Sequence, residues 1–83
     1  MSFCVYVLHA VEHDKIYIGF TSDLDARLLS HNVLSKKGWT IKFRPWMLVY
    51  TESFSTKVEA IKREKELKSY RGRLFIRKEI LNQ

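Results

Sequence analysis

A chain of 83 residues holds one small domain, and 46% hydrophobic with 13% aromatic residues is the composition of a folded protein, which excludes a disordered tail. Fifteen Lys and Arg against nine Asp and Glu leave a formal charge of +6, pointing to a polyanionic partner without naming it. The single cysteine, Cys4, excludes an internal disulfide and a cysteine-based zinc cluster and suits a reducing cytoplasm. The start Met-Ser-Phe-Cys-Val lacks the charged lead and cleavage pattern of a signal peptide, and no apolar run approaches a membrane span. The expectation is a soluble cytoplasmic protein with no membrane partner.

From Phe3 to Leu8 the chain is continuously apolar or aromatic, and it is so again from Ile16 to Phe20 except for Gly19. Glu12-His13-Asp14-Lys15 between them is polar and turn-like, which predicts an antiparallel hairpin with a largely buried first strand. The turn lies near the midpoint between Tyr6 and Tyr17, so the two phenols are expected opposite or diagonal to each other across the ladder. Thr21-Ser22-Asp23 is rich in N-cap residues, and Ser22 with Asp25 has capping-box spacing, predicting a helix from about Asp23 to His31. On that helix Arg27 and His31 stand one turn apart, beside a Leu24/Leu28 stripe.

Residues 33–44 interleave Lys36, Lys37, Lys42 and Arg44 with Trp39 and Phe43 and read as an exposed loop closed by Pro45. Positive charge with interspersed aromatics suits contact with a nucleic-acid backbone and stacking on bases; the plain alternative has the aromatics covering the core and the lysines solvated. Trp46 to Thr51 predicts a third strand, extendable to Phe54. Thr56 and Glu59 again have capping-box spacing and open a helix that runs to about Ser69. Val58, Ala60, Ile61 and Leu67 cover one half of this helix, and Glu64 falls in the middle of that half. An unpaired carboxylate there would cost several kcal/mol, so Glu64 calls for a cation, a metal or an opening to water. Arg71-Gly72-Arg73 is expected to interrupt the helix, with a short terminal helix over Leu74 to Leu81.

Hydrolysis of a phosphodiester needs a base toward water, a cation on the phosphate and commonly a divalent ion on a carboxylate. Tyr6, Arg27 and Glu64 can fill these roles, although a phenol with a pKa of about 10 needs help from a metal, from His31 or from a cation such as Lys15. Each residue also has a bland role: Tyr6 and Tyr17 as cross-strand packing, Arg27 as a solvated helix residue, His31 as a helix-end cap, and Glu64 as the partner of Lys68. His9 and His13 flank the turn without metal-ligand spacing, and neither a P-loop nor a nucleophile elbow is present.

Taken in order, the motifs resemble the GIY-YIG endonuclease superfamily, in particular its small stand-alone members. Tyr17-Ile18-Gly19 is followed by Thr21-Ser22-Asp23-Leu24, Arg27-Leu28 and His31-Asn32. Arg44-Pro45-Trp46, Leu48-Val49-Tyr50 with Glu52, and Glu59-Ala60 with Arg63-Glu64-Lys65 continue the likeness over nearly the whole chain. The resemblance implies an α/β (α+β) fold in which a three-stranded antiparallel sheet is flanked by helices, in the order β-β-α-β-α-α. It implies a base at Tyr6, positioning of water or phosphate by Tyr17, phosphate stabilisation by Arg27, support of the base by His31, and binding of Mg2+ (or Mn2+) by Glu64. The implied activity is magnesium-dependent DNA hydrolysis leaving a 3′-hydroxyl and a 5′-phosphate, with a role in repair or recombination. Lys36, Lys37, Trp39, Lys42 and Arg44 are the expected nucleic-acid contacts, and a homodimer or a targeting partner would enlarge the small binding surface. The chain departs from the family pattern at Cys4, where a glycine is usual, at Phe20, where some relatives carry lysine, and at Ile76, where several carry asparagine. The rival functions are a catalytically weak nucleic-acid-binding module of the same fold and a small protein-interaction domain.

Overall fold

The structure, a computed structural model, describes residues 2–83. Strands β1 (Phe3–Ala10), β2 (Lys15–Thr21) and β3 (Met47–Phe54) form one antiparallel sheet in the order β2-β1-β3. Helices α1 (Leu24–Leu29), α2 (Lys57–Lys68) and α3 (Tyr70–Phe75) give the expected order β-β-α-β-α-α. A π turn at Ser30–Leu34 prolongs α1, a second at Ile76–Ile80 prolongs α3, and a 3-10 turn at Trp39–Phe43 precedes β3.

The unbroken apolar run of the first strand follows from its central place, because β1 is covered on both faces. Val5 and Val7 pack with Ile16, Ile18, Ala60, Leu67 and Ile76 on the face that α2 covers. Tyr6, Leu8 and Ala10 pack with Trp46 on the other face, flanked by Tyr17, Leu24, Leu28 and Phe43. The sheet therefore has two small cores, and everything on the Tyr6 side is held against it by α1 and the segment that follows.

Four local expectations need correction. Asp23, one residue beyond the expected Ser22, caps α1 by accepting the Ala26 N–H at 3.1 Å. α1 ends at Leu29, so His31 sits in the π turn, where the wider backbone spiral re-aims it. The interruption after α2 falls at Ser69, whose hydroxyl accepts the Gly72 N–H, and α3 runs through Arg71-Gly72-Arg73. Gly72 is required there by close packing, since a Cβ at that position would collide with the backbone of Glu66 and Leu67.

The fourth correction concerns residues 33–44, which are more ordered than an exposed loop. Thr40 is buried, and the Trp39 ring packs on Phe43 and Trp46 at centroid distances of 4.8 and 5.7 Å. Lys36, Lys37 and Lys42 remain exposed, whereas Arg44 turns inward. Its Nε donates to the His31 carbonyl at 2.5 Å, and its Nη2 donates to the carbonyls of Ser30 and Ser35 at 3.1 and 2.7 Å. The Ser30 carbonyl also accepts the Ser35 N–H at 3.0 Å, and Arg44 adds its donors to it and to the His31 and Ser35 carbonyls, so the guanidinium caps the end of the π turn. Among the described residues no helix is long and apolar enough to cross a membrane.

Arg44→Ala should lower folding stability by about 2–4 kcal/mol, because hydrogen bonds to a charged donor are lost at three part-buried carbonyls. Urea denaturation reads this directly; a loss below about 0.5 kcal/mol would mean that water replaces the guanidinium without cost.

Candidate active site

Pairing of Tyr6 with Gly19 and of Leu8 with Tyr17 places the two tyrosines on one face of the hairpin, diagonal to each other, with ring centroids 6.1 Å apart. Tyr6 has no exposed surface, and the space for its hydroxyl is left by Gly19. A Cβ at Gly19 would stand 2.6 Å from the Tyr6 Oη and 2.8 Å from Cζ, closer than any relaxed contact. Glycine is thus needed for close approach of a side chain, a demand that a three-letter motif does not reveal.

His31 enters beneath the hairpin from the π turn. It is buried, its Nε2 lies 3.0 Å from the Tyr6 hydroxyl, and its Nδ1 lies 3.2 Å from the Thr40 Oγ1. The Tyr17 ring covers the imidazole at a centroid distance of 4.6 Å. Burial, then the charges of Arg27 and Arg44, push the His31 pKa below its ordinary value, so the ring is neutral at neutral pH. Burial likewise raises the Tyr6 pKa, with the Arg27 guanidinium opposing it through a hydrogen bond and its charge. That bond to Tyr6 raises the Arg27 pKa in turn. Four of the five residues singled out by the motifs therefore meet in one cluster: Tyr6, Tyr17, Arg27 and His31.

Glu64 stands apart. It projects from α2, which covers the opposite face of the sheet. Its side chain is only 16% exposed, and its Oε2 forms an i, i+4 ion pair with the Lys68 Nζ at 3.7 Å, the pairing that the sequence spacing allowed. The two sides meet at the outer edge of β2. Lys68, one turn beyond Glu64, lines a groove of about 410 Å3 together with Lys15, Tyr17, Trp39, Arg73 and Arg77. A smaller cleft of about 230 Å3, lined by Arg27, His31, Ser35, Lys37 and Thr40, shares Tyr17 and Trp39 with it. Tyr17 is thus the phenol that reaches both openings, and Trp39, 47% exposed, stands at their junction. Among the described residues no group of three or more His, Cys, Asp or Glu gathers as a metal site.

The departures from the motif pattern are packing positions. Phe20 lies against the larger core and Ile76 is fully buried within it, while Cys4 is half-buried with its thiol pKa raised by that burial. Lys15 lies over the Phe43 ring, 5.6 Å from its centroid, at the rim of the larger groove. Sequence reasoning missed three residues that build the site. Asn32 binds the Trp46 backbone twice, accepting its N–H at 2.7 Å and donating to its carbonyl at 3.1 Å. Trp46 Nε1 donates to the Thr40 carbonyl at 2.7 Å, and Thr40 meets His31. These links join residues up to 14 positions apart and follow no local period.

Two measurements check this geometry. Gly19→Ala should cost about 1–3 kcal/mol, the usual penalty of overpacking, and should alter the His31 ring resonances as Tyr6 is displaced. The lowered His31 pKa gives a signed pH dependence. Between the unfolded value near 6.5 and the lower folded value, the unfolded chain binds the extra proton, so stability is full above that window and falls as pH falls through it. His31→Gln should flatten this part of a stability-versus-pH curve.

Comparison with known proteins agrees with the fold and with the motif order. The family model for the GIY-YIG catalytic domain matches residues 2–78. A UPF0213 protein of Staphylococcus haemolyticus is 38% identical over 66 residues, covering 80% of this chain and 79% of the relative. A UPF0213 protein of Staphylococcus epidermidis is 44% identical over 56 residues, 68% of each chain. The solution structure of the UPF0213 protein BH0048 from Bacillus halodurans superimposes with a TM-score of 0.56 at 32% identity, covering 92% of this chain and 82% of that one. The family match spans both tyrosines, Arg27, His31 and Glu64, and the chain belongs to the GIY-YIG family, among its small single-domain UPF0213 proteins.

Proposed function

We propose that the protein is a metal-dependent endonuclease that hydrolyses phosphodiester bonds of DNA, in the cytoplasm and in the service of repair or recombination. The observation that carries this reading is the buried Tyr6–His31 hydrogen bond with Arg27 beside it, opening through Tyr17 to a groove lined by Lys15, Lys68, Arg73 and the Asp14–Arg77 ion pair. A cation-lined groove suits a phosphate backbone, and Arg27 suits the charge that grows on a phosphoryl group.

The proton inventory follows from the local pKa directions. Tyr6 is protonated and His31 neutral at rest, so the base forms only as the reaction proceeds. Water approaching on the Tyr17 side gives its proton to the Tyr6 oxygen as the Tyr6 hydroxyl passes its own to His31 Nε2. The hydroxide oxygen bonds to phosphorus, the bond to the 3′-oxygen breaks, and that oxygen takes a proton from solvent. Arg27 holds the non-bridging oxygens throughout.

The residues present fit a hard divalent cation. Magnesium is commonly held by one or two carboxylates with water and substrate phosphate completing its shell, and Glu64 is a largely buried carboxylate in an ion pair with Lys68 that, at 3.7 Å, is too long for a hydrogen bond. Glu64 would hold the ion, which would supply charge neutralisation at the phosphate. Lys36, Lys37, Lys42 and Trp39 contact the nucleic acid from one side of the opening, and Lys15, Lys68 and Arg73 from the other.

The second reading is a binding module with weak catalysis, favoured by the complete burial of Tyr6. Purified protein incubated with single-stranded, duplex, nicked and branched DNA and RNA, with magnesium or with chelator, separates the two. A nuclease cuts only with the metal. Glu64→Ala should abolish cutting and leave affinity unchanged or improved. Tyr6→Phe and Tyr17→Phe should each slow cutting by about 10²–10⁴-fold, the usual contribution of proton transfer. If wild type and variants alike bind in a salt-sensitive way without cutting, the binding module is correct. Lys68→Ala and Arg73→Ala should each lower the log-log salt slope for duplex by about 0.9 if each neutralises one phosphate.

A further inference from the structure

We propose that Thr40 is a positioning residue of this site: its Oγ1 accepts the Nδ1–H of His31 and thereby keeps Nε2 as the bare acceptor facing the Tyr6 hydroxyl. The inference about the tautomer stands on the geometry alone; its catalytic consequence rests on the nuclease reading.

A neutral imidazole donates from one nitrogen and accepts at the other, so the two bonds of His31 are coupled. Tyr6 has no exposed surface, and the partner its hydroxyl meets within hydrogen-bond distance is the His31 Nε2 at 3.0 Å. A buried O–H left without an acceptor costs more than an unfilled lone pair, so the phenolic O–H points to Nε2. With Nε2 accepting, Nδ1 carries the hydrogen, and the Thr40 Oγ1 at 3.2 Å is its buried acceptor. When Tyr6 passes its proton to Nε2, the same Thr40 oxygen remains bonded to the Nδ1–H of the cation that forms. Nothing else about the imidazole needs to move.

Thr40 is itself held in a closed ring of contacts. Asn32, the chain neighbour of His31, grips the Trp46 backbone; the Trp46 indole N–H donates to the Thr40 carbonyl; Thr40 then meets His31. The ring fixes the 3-10 turn relative to the π turn, so the Oγ1–Nδ1 distance is set by buried groups rather than by a mobile loop. The charged and titratable groups around the imidazole are Tyr6 and Tyr17 from the hairpin, Arg27 from α1, and Arg44 before β3.

The test is a long-range proton–nitrogen correlation on protein labelled with 15N-histidine at neutral pH, with His31→Gln identifying the His31 signals against those of His9 and His13. Wild type and Thr40→Ser should show a protonated Nδ1 and an unprotonated Nε2. Thr40→Val, nearly isosteric and without an acceptor, should shift the ring toward protonated Nε2. In the cleavage assay Thr40→Val should lower kcat at least tenfold with KM unchanged, and Thr40→Ser should restore it. A wild-type ring protonated at Nε2 overturns the proposal, and so does a Thr40→Val ring that stays fully Nδ1-protonated. Should Thr40→Val fail to fold, the wild-type and Thr40→Ser spectra still decide the tautomer. If wild type cuts no substrate, the nuclease reading falls while the tautomer measurement still decides the role of Thr40.

Discussion

A phenol buried without any exposed surface must find its hydrogen-bond partners inside the protein, and that demand at Tyr6 organises half of this fold. An unmet hydroxyl would cost about 1–3 kcal/mol, a large share of what a domain this small can spare. Gly19 leaves room for the oxygen, the hairpin register brings Gly19 opposite, and the π turn after α1 delivers His31. Thr40 completes the imidazole, and Arg44 fastens the carbonyls of the same turn. Remove the hydrogen bond between Tyr6 and His31 and these features lose their common reason.

The same bond explains how a site can be quiet at rest. Burial raises the Tyr6 pKa and lowers that of His31, so both members of the pair are neutral in the folded protein. Arg27 opposes the first effect and reinforces the second, which makes it the one charge whose movement toward a substrate phosphate would change both groups together. In a low-dielectric setting such a change is worth more than it would be in water. Coupling between an incoming anion and the proton inventory is therefore built from three side chains.

The division of the sheet into two faces shapes the larger site. Glu64 belongs to the helix that covers the Val5 and Val7 face, whereas the tyrosines face the other way. At the outer edge of β2 the two sides can act on one ligand, since Lys68 and Tyr17 border the same groove there. A ligand spanning that edge would be gripped by elements far apart in the chain, which suits an extended polyanion better than a compact small molecule.

Period and composition determined the hairpin, the shared face of Tyr6 and Tyr17, the third strand and the Thr56 cap, while the register decided that the tyrosines are diagonal. Such features depend on neighbours two to four residues apart, where backbone geometry ties sequence spacing directly to spatial direction. The motif order placed the chain in its family for the same reason, since the motifs sit on these regular elements. Tertiary structure alone decided that Arg44 caps a helix end instead of facing solvent, that Thr40 and Trp46 hold His31, and that Gly19 makes space for an oxygen. Each depends on groups brought together from distant parts of the chain to satisfy buried polar atoms. Burial sets that requirement, and burial is a property of the packed molecule that no local spacing records.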